Sequence, residues 1–216
     1  MLTPLLIALN LGIFLITAVQ AGSLLGNAGS PLFEDWVTWP LAIAHGGEWW
    51  RLITGGFLHY GLAHVAVNML ALWLLGRDVE LLLGWRRFGA VYLLSLLGGS
   101  TAVFALGDMN TALAGASGAV WGVIGAMLVI VMRLKLNPQP VLALIAINAI
   151  ISFLPGISLL GHLGGFVVGA VVTAAMVYAP PRQRVPIQIG AVVAVLVVLS
   201  GVIITVSAMR VSAIGF

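Results

Sequence analysis

The sequence predicts an all-α membrane protein, a polytopic helical bundle, and three observations carry that prediction. Of its 216 residues 62% are hydrophobic and only 7% charged, where a soluble domain has about 45–50% and about 25%. Apolar runs recur at close to the ~20 residues that a helix needs to cross a bilayer core of about 30 Å. The few basic residues collect in alternate gaps between those runs, as the positive-inside rule requires of a protein that crosses repeatedly. A net charge of +3 with scattered basic residues is thereby explained by topology and not by nucleic-acid binding. Cysteine is absent, which removes a disulfide framework and a thiolate metal site.

Seven windows can be placed, at residues 4–25, 57–76, 88–106, 114–132, 139–154, 160–179 and 187–208. The first ends near Ala18-Val19-Gln20-Ala21, which resembles a signal cleavage site. It lacks a basic leading segment and is long for a signal sequence, so it is read as a retained helix. Residues 26–56 form a long loop with Trp36, Trp39, Trp49 and Trp50 among few charges; tryptophan favours the headgroup level, so the loop is expected to lie in the interface. The fourth window begins inside the Gly115-Ala116-Ser117-Gly118 run. The fifth is short and ends at Pro155-Gly156, the sixth opens at Gly161-His162, and the seventh holds no legible chemistry.

With the N-terminus cytoplasmic, Arg77, Arg86, Arg87, Arg133, Lys135, Arg182 and Arg184 lie inside, and only Arg51 and Arg210 outside. Windows two, four and six then all enter from the outer face. His59, His64 and Asn68 on the second, Ser117 on the fourth and His162 on the sixth share the outer part of the membrane. Polar groups are costly in hydrocarbon unless paired, and a serine and a histidine at helix mouths are what an intramembrane serine hydrolase needs. His64 and Asn68, at i and i+4, share one helical face and can both donate hydrogen bonds to a developing oxyanion.

Glycine spacing predicts which helices meet. Gly115, Gly118, Gly122 and Gly125 form a stripe in the fourth window, and Gly161, Gly165 and Gly169 a ladder in the sixth. Such stripes let helix backbones approach closely in lipid, so Ser117 and His162 are expected to come together.

These residues resemble the rhomboid intramembrane serine proteases. Gly115-Ala116-Ser117-Gly118 resembles the family's G-x-S-G nucleophile motif, His162 followed by Gly165 and Gly169 its catalytic histidine, and His59, His64 and Asn68 its H-x4-H-x3-N pattern. Trp50-Arg51 is similar to the family's Trp-Arg pair, and Gly76 to Glu80 to its G-x3-E. The resemblance implies a six-helix rhomboid-like core over residues 1–180, with 181–216 forming a linker and one C-terminal transmembrane helix. It implies a Ser117–His162 dyad, oxyanion donors His64 and Asn68, and Gly115 and Trp121 at the substrate site. Trp121 stands where the family often has tyrosine. No acidic residue falls beside His162, so a dyad is expected and not a triad. No cofactor or metal is implied. The partners implied are single-span membrane proteins as substrates, with lipid around them and no nucleic acid, and access between the second and fifth helices. The short, loop-poor chain suggests a bacterial inner membrane.

Two other classes stay open at this point. A proteolytically silent rhomboid-like protein would bind membrane clients, but it would be free to lose these four polar groups. A transporter or cofactor protein would use the histidines as ligands or proton relays, but no intramembrane carboxylate accompanies them.

Overall fold

The structure, a computed structural model, describes residues 1–154 and 156–212. Pro155, where the fifth window is expected to end, lies outside the described residues. Each of the seven windows holds a helix. Among the described residues four helical segments are long and apolar enough to span a membrane: α1 (Thr3–Ala21), α7 (Trp85–Leu106), α10 (Leu159–Val177) and Pro181–Ser212, the last containing α11 (Arg184–Ser212). The chain is an all-α, multi-pass integral membrane protein.

The loop between the first two windows is itself helical. It folds into α2 (Pro31–Trp36), α3 (Pro40–Gly46), α4 (Arg51–Thr54) and a 3-10 turn Gly55–Phe57. The last two segments meet the next helix at a bend of 94°. The second span therefore begins later than its window: α5 (Leu62–Ala71) leads through a π-helical turn, Leu72–Gly76, into α6 (Arg77–Leu83). His59 lies just ahead of this helix, near its mouth. The turn from α6 into α7 is made by Gly84 at φ +83°, a left-handed conformation that a Cβ disfavours.

The α1 N-terminus is fastened to the far end of this second span. The Glu80 carboxylate accepts from Thr3 N–H at 2.8 Å, from Thr3 Oγ1 at 2.7 Å and from the Leu2 N–H. A carboxylate on the orphan N–H groups of a first helical turn satisfies them and complements the helix dipole.

The centre of the bundle is a three-helix contact of α7, α8 (Ser117–Arg133) and α10, and glycine makes it. A Cβ on Gly165 or Gly169 of α10 would run into the backbone of Gly118 or Gly122 on α8. Gly98 and Gly99 of α7 extend the arrangement: a Cβ on Gly99 would stand 2.6 Å from the Gly161 carbonyl oxygen, and one on Gly164 2.6 Å from that of Gly98. Where apolar surface gains nothing by leaving lipid, this close backbone packing supplies the association energy. The α7 glycines are a third partner that the two-stripe reading left out.

α8 has 17 residues and α9 (Gln139–Ile151) has 13, about 25 Å and about 20 Å at 1.5 Å per residue. α9 buries none of its residues. α11 runs against α7, α10 and α3, and Arg210 near its end donates to the Ala105 and Gly107 carbonyl oxygens, at 3.2 and 3.0 Å, where α7 stops. Cations favour helix C-termini.

Candidate active site

α8 begins at Ser117, and what precedes it is held from outside the helix. Thr38 and Leu113 exchange backbone hydrogen bonds of 3.0 and 2.8 Å, and Gly115 N–H donates to the Gly55 carbonyl at 3.0 Å. Gly115 adopts φ +136°. The space that its missing side chain leaves is taken by the His64 ring, whose Cε1 would stand 2.8 Å from a Cβ there. Small size at this position thus brings an imidazole against the loop before the serine. Among the described residues the Ser117 backbone N–H makes no hydrogen bond, as expected for a first-turn donor.

Ser117, His162, His64, Asn68 and Trp121 line one cavity of about 160 Å³. It runs between α5, which contributes His64, Val67, Asn68 and Ala71, and α9, which contributes Leu144, Asn148 and Ile151. A wider recess of about 770 Å³ shares His64, Leu113, Gly156, Ile157 and Ser158 with it and adds Tyr60 and Asp108. Five of the six sequence-predicted residues thus line one cavity, and Gly115 lies outside its lining, against the His64 ring; among the described residues Ser117 Oγ forms no hydrogen bond with His162.

His64 is braced on three sides. Tyr60 stacks on it with ring centroids 6.1 Å apart and planes 13° apart, and His59 meets it edge-on at 5.1 Å. The Tyr60 N–H points at His64 Nδ1 at 3.4 Å, a long contact. That orientation favours the proton on Nε2, the nitrogen that can donate into the cavity. His59 is fully buried, and among the described residues neither ring nitrogen has a close hydrogen-bond partner; it supports His64 by packing against its ring. Asn68 is buried and donates one Nδ2 hydrogen to the His64 carbonyl at 2.9 Å, which leaves its second amide hydrogen for the cavity.

The residue that sequence reasoning missed is Ser152. It caps α9, is buried, and its Oγ lies 2.7 Å from His162 Nδ1 and 2.7 Å from the Asn148 carbonyl oxygen. Nothing around position 152 signals it, because the contact depends on how α9 docks against α10. Among the described residues no group of three His, Asp or Glu side chains is arranged to hold a metal ion.

A family model described as "Rhomboid domain" matches residues 46–179, more than half of the chain. The chain belongs to the rhomboid family. It is 40% identical over 136 residues to "Rhomboid protease GluP" of Bacillus subtilis, covering 60% of this chain and 26% of that protein. Similarity to "Putative rhomboid protease YdcA" of the same organism is 33% over 159 residues, 70% of this chain and 79% of that one. "Rhomboid protease AarA" of Providencia stuartii is 26% identical over 213 residues, 85% of this chain and 75% of its own. The chain spans less than half the length of GluP and of several other curated relatives, 26% of the one and 43% of one of the others. At the family level this membrane rhomboid is thus a relative of serine proteases, alongside proteins named only "RHOMBOID-like".

Proposed function

We propose that this rhomboid is an intramembrane serine endopeptidase that hydrolyses peptide bonds in or near transmembrane segments of single-span membrane proteins. What supports the reading is one observation: the hydroxyl of Ser117, the imidazoles of His162 and His64 and the amide of Asn68 line a single small cavity whose other walls are mostly apolar.

In the reaction Ser117 Oγ attacks the substrate carbonyl carbon while His162 Nε2 takes the hydroxyl proton. The tetrahedral oxyanion is held by the free Ser117 N–H, the spare Asn68 amide hydrogen and His64 Nε2–H, donors fixed in a low-dielectric site. Collapse breaks the C–N bond as His162 returns its proton to the leaving amine. Water, activated by the same histidine, then cleaves the acyl ester and frees Ser117. The wide recess at this end of the bundle supplies that water. The opening between α5 and α9 admits the substrate from the lipid, and its helix must unwind locally for a carbonyl to reach Ser117. Residues of low helix propensity at the cleaved bond ease this. The site faces the outer side of a bacterial inner membrane, with the N-terminus cytoplasmic.

The decisive experiment is labelling by a fluorophosphonate, which reacts covalently with activated serines. Wild type is expected to label and Ser117→Ala and His162→Ala are not. An unlabelled but folded wild type, in detergent and in lipid, would replace this reading with that of a silent client-binding protein.

A further inference from the structure

We propose that Ser152 is a positioning residue for His162, a third group behind the Ser117–His162 pair that holds the imidazole with its proton on Nδ1. The inference rests on the serine-protease reading above. It comes from counting protons. Ser152 Oγ lies 2.7 Å from the Asn148 carbonyl and 2.7 Å from His162 Nδ1. A hydroxyl has one hydrogen and two lone pairs, and a carbonyl has none to give. Both short contacts are satisfied together only if the hydroxyl hydrogen goes to the Asn148 oxygen and His162 Nδ1–H donates to Ser152 Oγ. Nε2 is then the unprotonated nitrogen, the one able to take a proton from Ser117.

The alternative tautomer would leave the Asn148 contact without a hydrogen and Nε2 already protonated. When the ring becomes imidazolium during acylation, Ser152 Oγ accepts from a charged donor, and hydrogen bonds to charged groups are the stronger ones. Trp121 covers one face of the same ring, with centroids 5.2 Å apart and planes 22° apart. The imidazole is thus fixed in its plane by the serine and across its plane by the indole.

The link also ties the base to α9. Among the described residues it is the one side-chain hydrogen bond between the α9 segment and another helix. α9 buries none of its own residues. Displacing α9 therefore withdraws the acceptor from His162, so the base is set only while α9 is docked.

The test uses the full chain in detergent micelles, with two readouts on wild type, Ser152→Ala and Ser152→Thr. One is the rate of fluorophosphonate labelling. The other is the nitrogen NMR signature of the His162 ring, assigned by its loss in His162→Gln, which distinguishes Nδ1–H from Nε2–H. Ser152→Ala is expected to label roughly tenfold more slowly, the loss of one hydrogen bond to a charged ring. Its ring signature should move away from pure Nδ1–H, and Ser152→Thr, which keeps the hydroxyl, should restore both. Wild-type rate and tautomer in Ser152→Ala would overturn the proposal. So would an equal slowing in both variants with Nδ1–H unchanged, which marks a packing role. If wild type itself fails to label, the protease reading falls, and the tautomer comparison still decides for or against Ser152.

Discussion

The indole of Trp121 lies against the imidazole of His162, ring centroids 5.2 Å apart and planes within 22° of parallel. Both rings are buried, and Phe166 meets the indole edge-on at 6.1 Å. Offset aromatic stacking contributes about 0.5–1.5 kcal/mol beyond area burial. Trp121→Ala is therefore expected to slow fluorophosphonate labelling roughly two- to tenfold. Trp121→Tyr, which keeps a planar ring one turn beyond Ser117, should retain most of the rate. Equal labelling of Trp121→Ala and wild type at matched folded fraction would remove the indole from any part in orienting the base.

The helix packing makes a sharper prediction. Because a Cβ on Gly165 would overlap the Gly118 backbone, relief requires separating α8 from α10. Overpacking of this kind costs about 1–3 kcal/mol. The same shift moves Ser117 away from His162, so Gly165→Ala should lower both the unfolding midpoint and the labelling rate. Gly190→Ala in α11 is the control: nothing lies within 4 Å of its Cβ position, and alanine is favoured over glycine in a helix. It should be neutral or slightly stabilising. A thermal melt of both variants in detergent checks the pair.

These two contacts also mark what the sequence could and could not disclose. The helical spacing of the α8 and α10 glycines predicted a close α8–α10 pairing because it depends only on which side of each helix lacks side chains. The partnership of Gly98 and Gly99 was not legible, since two adjacent glycines in α7 do not form a stripe. His64 and Asn68 could be read as sharing a face from their i, i+4 spacing. That the His64 ring occupies the void at Gly115 could not, because it depends on Thr38 and Gly55 holding the loop before α8. Ser152 was invisible for the same reason. Local spacing reports on one helix at a time, and its partner is chosen by the docking of α9.

Asn68 and His64 are predicted to act on the transition state more than on the fold. Removing one oxyanion donor costs about 10²–10³ in rate. Asn68→Ala should thus lower the rate of substrate cleavage by about that factor, and the double variant with His64→Ala should fall by less than the product, because groups that act as a unit are not additive. His64 has the larger structural share, since Tyr60 and His59 both pack on its ring. His64→Ala should therefore also lower the unfolding midpoint, and Asn68→Ala should do so less. Single-turnover cleavage of a membrane peptide, followed beside a thermal melt, separates the two effects. Unimpaired cleavage by Asn68→Ala would strike it from the oxyanion site.

Arg51 acts outside the lining of the cavity. Arg51 is buried, with Nε 2.5 Å from Glu48 and Nη1 donating to the Glu34 and Val37 carbonyl oxygens at 2.6 and 3.1 Å. Its own carbonyl accepts from Thr38 Oγ1 at 2.8 Å, and Thr38 is the residue that pairs with Leu113 two positions before Gly115. The guanidinium thus supports the loop from which α8 and Ser117 start. Removing one partner of a buried charge network costs on the order of 3 kcal/mol, so Arg51→Ala should lower both stability and labelling. Arg51→Lys should rescue little, because an ammonium on one flexible stem cannot match the fork of guanidinium donors. Glu48→Ala should be milder: Glu48 is partly exposed, and both carbonyl acceptors remain to Arg51. The order of unfolding midpoints, wild type above Glu48→Ala above Arg51→Lys and Arg51→Ala, checks the argument. A Glu48→Ala protein as unstable as Arg51→Ala would put the weight on the ion pair and not on the carbonyls.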